Sequence, residues 1–151
     1  MEDLFAGVDV STQGQKIVII DLEKRSVIYS DSINYDIDLP KYNTLNGVLK
    51  DTDFGVSESN PNMWIDSLHL LFERLKTSSD IIQSIKAISI AGQQHGLVAI
   101  DKDGNLAKST SKLWNDFSTA EECEILTKEI GGSEQMITEV ANSQRTGYTA
   151  S

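Results

Sequence analysis

The sequence predicts an α/β chain built on a mixed sheet with helices on its faces. Three observations predict it. Two apolar strands flank a short polar turn at the N-terminus, and a third follows almost at once. A well-capped amphipathic helix then leads to a nearly continuous apolar strand. Helical spacing of apolar residues returns in the last third of the chain.

The first strand runs from Leu4 to Val8 and ends on Asp9; the turn Ser11-Thr12-Gln13-Gly14-Gln15 and Lys16 lead into a second strand from Ile17 to Ile20. A second turn over Asp21 to Lys24 gives a third strand, Val27 to Tyr35, whose apolar residues share a parity. Three strands with tight connections make an antiparallel meander. Asp36 to Asn60, rich in Asn, Asp, Ser, Thr and Gly, has little apolar period, and reads equally as an ordered functional excursion or a disordered insertion. Asn60 suits an N-cap and Pro61 a first helical position. The helix they start carries Trp64, Leu68, Leu71, Phe72 and Leu75 on one face, ends near Lys76, and leaves His69 in solvent.

Ile85 to Ala91 reads as a strand covered on both faces. It delivers Gly92-Gln93-Gln94-His95-Gly96, after which Leu97 to Ile100 returns as a strand toward an Asp103-Gly104 turn. Leu113-Trp114 closes a short strand. Ser118-Thr119-Ala120-Glu121 fits a capping box that opens a helix, Gly131-Gly132 stops it, and Ser133 caps a further short helix.

The chain has 151 residues, enough for one domain with a real core, and a formal charge of −10. That charge argues against binding nucleic acid, whose phosphates demand a basic surface, and against docking on anionic membranes. No apolar run approaches the ~18 residues a spanning helix needs. The single cysteine, Cys123, excludes an internal disulfide and reads as a small packing residue; a reducing, cytoplasmic setting is expected.

Four segments could carry chemistry. The first turn sets an acid, Asp9, beside hydroxyls and glycine at a tip and a lysine on the return. Such a tip lets backbone amides approach phosphate oxygens, and a lone carboxylate suits hydrated magnesium bound to phosphate. The same residues also make an ordinary hairpin turn. Gln94 and His95 offer donors and acceptors to a polyhydroxylated ligand at a strand end, where open α/β sheets bind ligands; His95 reads equally as a loop residue satisfying nearby backbone. Asn115 and Asp116 lie at another strand end, where Asp116 and Ser118 equally serve to start the next helix. Arg145 can bond a sugar hydroxyl or a phosphate, or stand exposed in a tail.

Taken together, Gly7 to Lys16, Ile90 to Gly96, Leu113 to Asp116 and Gly147 to Ser151 resemble, in order and spacing, the N-terminal part of the FGGY carbohydrate kinases, above all their xylulokinase branch. The resemblance spans essentially the whole chain. It implies a ribonuclease H-like (actin-like ATPase) fold, a mixed sheet of three antiparallel strands then parallel strands with helices on both faces. It implies phosphorylation of a sugar, D-xylulose first among ketoses, polyols and glycerol, with ATP and Mg2+. On that basis residues 1–151 form a sugar-binding N-terminal domain. Asp9, Ser11, Thr12, Gln13 and Lys16 belong to a phosphate loop, Asp9 on its magnesium side; Gln94, His95 and Arg145 contact the substrate. Ser11 stands where many sugar kinases have glycine. The family's catalytic base and adenine-binding segments lie beyond this length, so no residue here is assigned as the base, and the chain is expected to be a truncation or one half of a split gene. Its expected partners are the sugar, ATP and the absent C-terminal kinase domain, with a homodimer left open because a half enzyme leaves an apolar face for self-association. A non-catalytic actin-like module used in assembly is the rival reading.

Overall fold

The computed structural model describes residues 3–148. They form two compact units, one of the described residues up to 50 together with 60–93, the other of residues 51–59 together with those from 94 on. The expected motif residues Thr149 to Ser151 lie outside the described residues.

The first unit is built on β1 (Leu4–Val10), β2 (Gly14–Asp21) and β3 (Ser26–Asn34), consecutive and antiparallel as the alternation predicts. After a helical four-residue turn, Tyr35–Asp38 (α1), and a 3-10 turn, Pro40–Tyr42, the excursion makes a small hairpin of β4 (Thr44–Leu45) and β5 (Val48–Leu49). Asp36 organises it: its carboxylate accepts bonds from Thr44 Oγ1 at 2.7 Å, Asn46 N at 2.6 Å and Gly47 N at 3.1 Å. This part of the excursion is therefore ordered, tied down by one acid rather than by an apolar period.

Helix α2 (Pro61–Ser78) starts where Asn60 and Pro61 place it, with Asn60 Oδ1 accepting from Asn62 N at 2.9 Å. Its most buried stripe is Met63, Ser67, Leu71 and Leu75; Trp64, Leu68 and Phe72 flank it, partly buried, and His69 is exposed. The stripe lies slightly around the helix from the expected face because Ser67, small enough to sit at the contact, carries no hydrophobic signal. It packs on Leu4, Ala6 and Val8 of β1, Ile17 and Ile19 of β2, and Ile33 and Tyr35.

Strand β7 (Ile85–Gly92) joins parallel to β1, giving the sheet order β3-β2-β1-β7. It is not covered on both faces as its composition suggests. Ile88 is 49 % and Ile90 57 % exposed. The reason is topological: β7 takes the edge of the sheet, while α2 packs over β2 and β3.

The second unit has short strands and longer helices. β6 (Glu58–Ser59) pairs with β8 (Ser111–Lys112), two residues before the expected Leu113-Trp114 strand. Leu97 to Ile100 is not a full strand; it makes a single antiparallel bridge, Ile100 to Leu106, around the Asp101–Gly104 turn. Helix α3 (Ala120–Glu129) begins without a capping box, because the Ser118 hydroxyl is spent on Asp116 Oδ1 at 2.6 Å. Gly131 and Gly132, both at positive φ, end it, and α4 (Ser133–Val140) follows. Cys123 is buried, as a packing residue should be.

Asp116, 1 % exposed, is the polar centre of this unit. It accepts from Ser57 N at 2.8 Å, Lys112 Nζ at 3.1 Å, and Ser118 N at 3.1 Å as well as the Ser118 hydroxyl. Burial pushes its carboxyl upward, but these donors outweigh burial and hold it below the ordinary value of 3.8.

Two outcomes follow. Leu71→Ala should cost about 2–5 kcal/mol in denaturant unfolding, as expected for a cavity in a closed core. Because the Asp116 carboxyl titrates lower in the fold than in the unfolded chain, its stabilisation is full above pH 3.8 and is lost as pH falls through the lower folded value. Asp116→Asn should lower stability at neutral pH by on the order of 1–3 kcal/mol and flatten that acid limb, measured by unfolding across a pH series.

Candidate functional site

The first candidate surface is the β1–β2 turn. Asp9 does not end β1; the ladder runs on to Val10, pairing Asp9 with Lys16 and Val10 with Gln15. Leu4, Ala6 and Val8 alternate into the core, so Asp9 points to the other face, and its cross-strand partner Lys16 shares that face. Both are exposed. Asp9, Ser11, Gln13, Gly14, Gln15 and Lys16, with the end of β3, line an open cavity of about 250 Å³. Four of the five expected phosphate-loop residues thus surround one space.

The turn itself is tightly tied. Ser11 N and Ser11 Oγ both donate to the Gly14 carbonyl, at 2.9 and 3.0 Å. Ser11's donors therefore close the turn, and the serine acts as a staple. The fifth residue, Thr12, donates its hydroxyl to Gln93 Oε1 at 3.0 Å, and Gln93 N donates to the Val10 carbonyl at 3.0 Å. Tyr35 supports the turn from below, its N–H on the Gln13 carbonyl at 3.1 Å and its hydroxyl on the Ser11 carbonyl at 3.3 Å. Gly14 is required, since a Cβ there would stand 2.2 Å from the Ile33 carbonyl oxygen. Gly47 of the excursion approaches equally closely: its Cβ would lie 1.8 Å from the Thr12 carbonyl oxygen. The excursion held by Asp36 thus backs the tip of the loop. Gln93, Tyr35 and Gly47 are parts of this site that no local motif announces.

A cation fits only one way here. Among the described residues no cluster of three His, Cys, Asp or Glu side chains could cage a metal. The open face offers the single carboxylate of Asp9, which suits a magnesium ion that keeps most of its waters and shares phosphate oxygens.

The second candidate surface lies in the other unit. His95 has φ +65°, a left-handed backbone uncommon for a non-glycine residue and often found at functional positions. Its ring stacks on Tyr148, centroids 4.3 Å apart and planes within 9°. Gln94 precedes it on the exposed surface. Arg145 is exposed and brought near in chain terms only, its carbonyl accepting from Tyr148 N at 3.2 Å. Asp116 does not stand at an open rim; it is buried and lines, with His95, Lys112, Leu113 and Tyr148, a small cavity of about 20 Å³. Asn115 accepts from the Ser57 hydroxyl at 2.8 Å.

Comparison with known proteins matches residues 4–151 to the FGGY family of carbohydrate kinases, N-terminal domain. A xylulose kinase of Schizosaccharomyces pombe is 39 % identical over 88 % of this chain and 26 % of its own length. One from Haemophilus influenzae is 33 % identical over 98 % of this chain and 28 % of its own. The chain therefore spans about a quarter of the length of these relatives. Among solved structures, a protein described as a xyloylose kinase from Brucella ovis superposes with a TM-score of 0.78, at 24 % identity, over 97 % of this chain and 27 % of its own. Plasmodium falciparum glycerol kinase with ADP gives 0.76, at 18 % identity, over 99 % of this chain and 27 % of its own. These neighbours share the actin-like fold that the meander and the parallel β7 build. The chain belongs to the FGGY family of carbohydrate kinases and carries that family's N-terminal domain.

Proposed function

We propose that this chain is the sugar-recognition part of an ATP-dependent kinase that converts D-xylulose to xylulose 5-phosphate. The observation that carries the substrate is the naming of its relatives from S. pombe, rat and H. influenzae, each a xylulose kinase. Gln94 and His95 contact the sugar, offering donors and acceptors to its hydroxyls, and Arg145 adds a charged donor from the turn before Tyr148.

Phosphoryl transfer depends on in-line placement and on neutralising phosphate charge more than on covalent chemistry. In this reading the β1–β2 turn meets the transferred phosphate. Lys16 and the Gln13 side chain supply donors on the open side of the loop, while Ser11 and Thr12 keep the tip in shape. Asp9 would hold a magnesium ion through its carboxylate, and such an ion would supply charge neutralisation for phosphate oxygens. The base and the adenine contacts belong to the remaining three quarters of such an enzyme. Its setting is the reducing cytoplasm, consistent with the lone buried Cys123, and nucleic acid and membranes are not among its partners. No helix among the described residues is long and apolar enough to cross a membrane.

Calorimetry should find D-xylulose bound by this chain with a dissociation constant of about 1 mM, weakened at least ~10-fold by His95→Ala, with no phosphorylation in a coupled ATPase assay. Binding untouched by His95→Ala would refute the site. Robust turnover by the 151 residues alone would refute the missing base.

A further inference from the structure

His95 is held from behind by residues that meet it only in the folded unit. Its imidazole lies almost flat on the Tyr148 ring, so one face of the imidazole is covered. The space beside the stack, bounded by Leu97, Leu113, Asp116 and Thr119, is about 20 Å³, room for roughly one water and no sugar. A sugar can therefore meet His95 only from the side away from Tyr148.

Tyr148 is itself placed by backbone. Gly147 has φ +75°, and a Cβ on it would stand 2.0 Å from the Trp114 carbonyl oxygen. Trp114 sits in the tight turn where Asp116 N donates to the Leu113 carbonyl at 3.0 Å, and the Asp116 carboxylate ties that turn to Ser57, Lys112 and Ser118. The buried acid thus fixes the turn, the turn fixes Gly147, Gly147 sets Tyr148, and Tyr148 sets the plane of His95. His95 lies past the end of β7 with a left-handed backbone, so no strand ladder holds it.

We propose that Tyr148 is a positioning residue for sugar recognition: its ring fixes the plane in which His95 meets the substrate. The inference rests on the reading of His95 as a sugar contact and adds the residue that makes that contact directional. An aromatic pair of this kind sets the expected effect, a loss of about 3- to 10-fold in sugar affinity when the ring is removed.

The test uses the 151-residue chain, with the His95 ring protons followed by NMR and D-xylulose affinity followed by titration. Tyr148→Phe should keep both the ring-current displacement of the His95 signals and the affinity. Tyr148→Leu should lose the displacement and weaken D-xylulose binding about 3- to 10-fold, with the amide pattern of α3, Ala120–Glu129 in the same unit, unchanged as a check on folding. Gly147→Ala, which drives the turn off the Trp114 carbonyl, should copy Tyr148→Leu. His95 signals that do not move in Tyr148→Leu, or an affinity that stays at the wild-type value, would overturn the positioning role. A wild-type chain that shows no response to D-xylulose would overturn the substrate reading instead, while the His95 signals still report on the stack.

Discussion

The packing of β1 and β2 against α2 is the contact on which the sheet unit depends. Leu4, Ala6 and Val8 on one strand and Ile17 and Ile19 on the other are buried against Met63, Leu71 and Leu75. Side chains along a strand alternate with a period of two, so this buried set leaves no freedom for the rest. Asp9 and Lys16 must share the opposite face because they are cross-strand partners one step beyond the buried residues. A slip of one residue by either strand would turn its charge inward and its own buried side chains, Leu4, Ala6 and Val8 or Ile17 and Ile19, out to solvent, a cost far larger than any turn preference. The chemistry of the loop is in this sense a consequence of the core beneath it. Gly14, Gly47 and Tyr35 only refine the shape of a tip whose facing is already fixed.

The other unit is held differently. Its strands are two residues long, and its ties are polar: Asp116 gathers Ser57, Lys112 and Ser118, and Glu58 gathers Lys108 at 2.7 Å and Thr110 at 2.6 Å. Burial raises the Glu58 carboxyl, and the bonds from Lys108 and Thr110 bring it back below its ordinary value. Shielded acids with several donors make rigid local frames, since each donor would lose its partner if the acid moved. Such a frame suits a short loop that must present one histidine in an unusual backbone conformation.

The meander, α2 and the α3–α4 pair were legible in the sequence because each is written locally, in alternation, in Asn60-Pro61, or in the Gly131-Gly132 stop. What was not legible has a physical cause in each case. The buried stripe of α2 includes Ser67, which reads as polar. The Ser118 box fails because a buried aspartate competes for the same hydroxyl. β7 has the composition of a central strand but lies at an edge in this chain. The carbohydrate-kinase family was legible because four short motifs keep order and spacing along the chain, although none would identify it alone. Within the candidate sites, Asp9, Ser11, Gln13 and Lys16 announced themselves as one turn. Gln93 on Thr12, Gly47 behind Thr12 and Tyr148 on His95 join residues distant in sequence, and only the fold brings them together.

We propose a division of labour in this chain: phosphate at the β1–β2 turn, sugar at the loop after β7. Backbone amide NMR of the chain, titrated separately with magnesium-ATP and with D-xylulose, tests it most directly. Magnesium-ATP should move the amides of Val10 to Lys16, and D-xylulose should move those of Gln94 to Gly96 and of the Arg145–Tyr148 turn. Shifts from both ligands on one and the same segment, or from neither ligand on either segment, would contradict it.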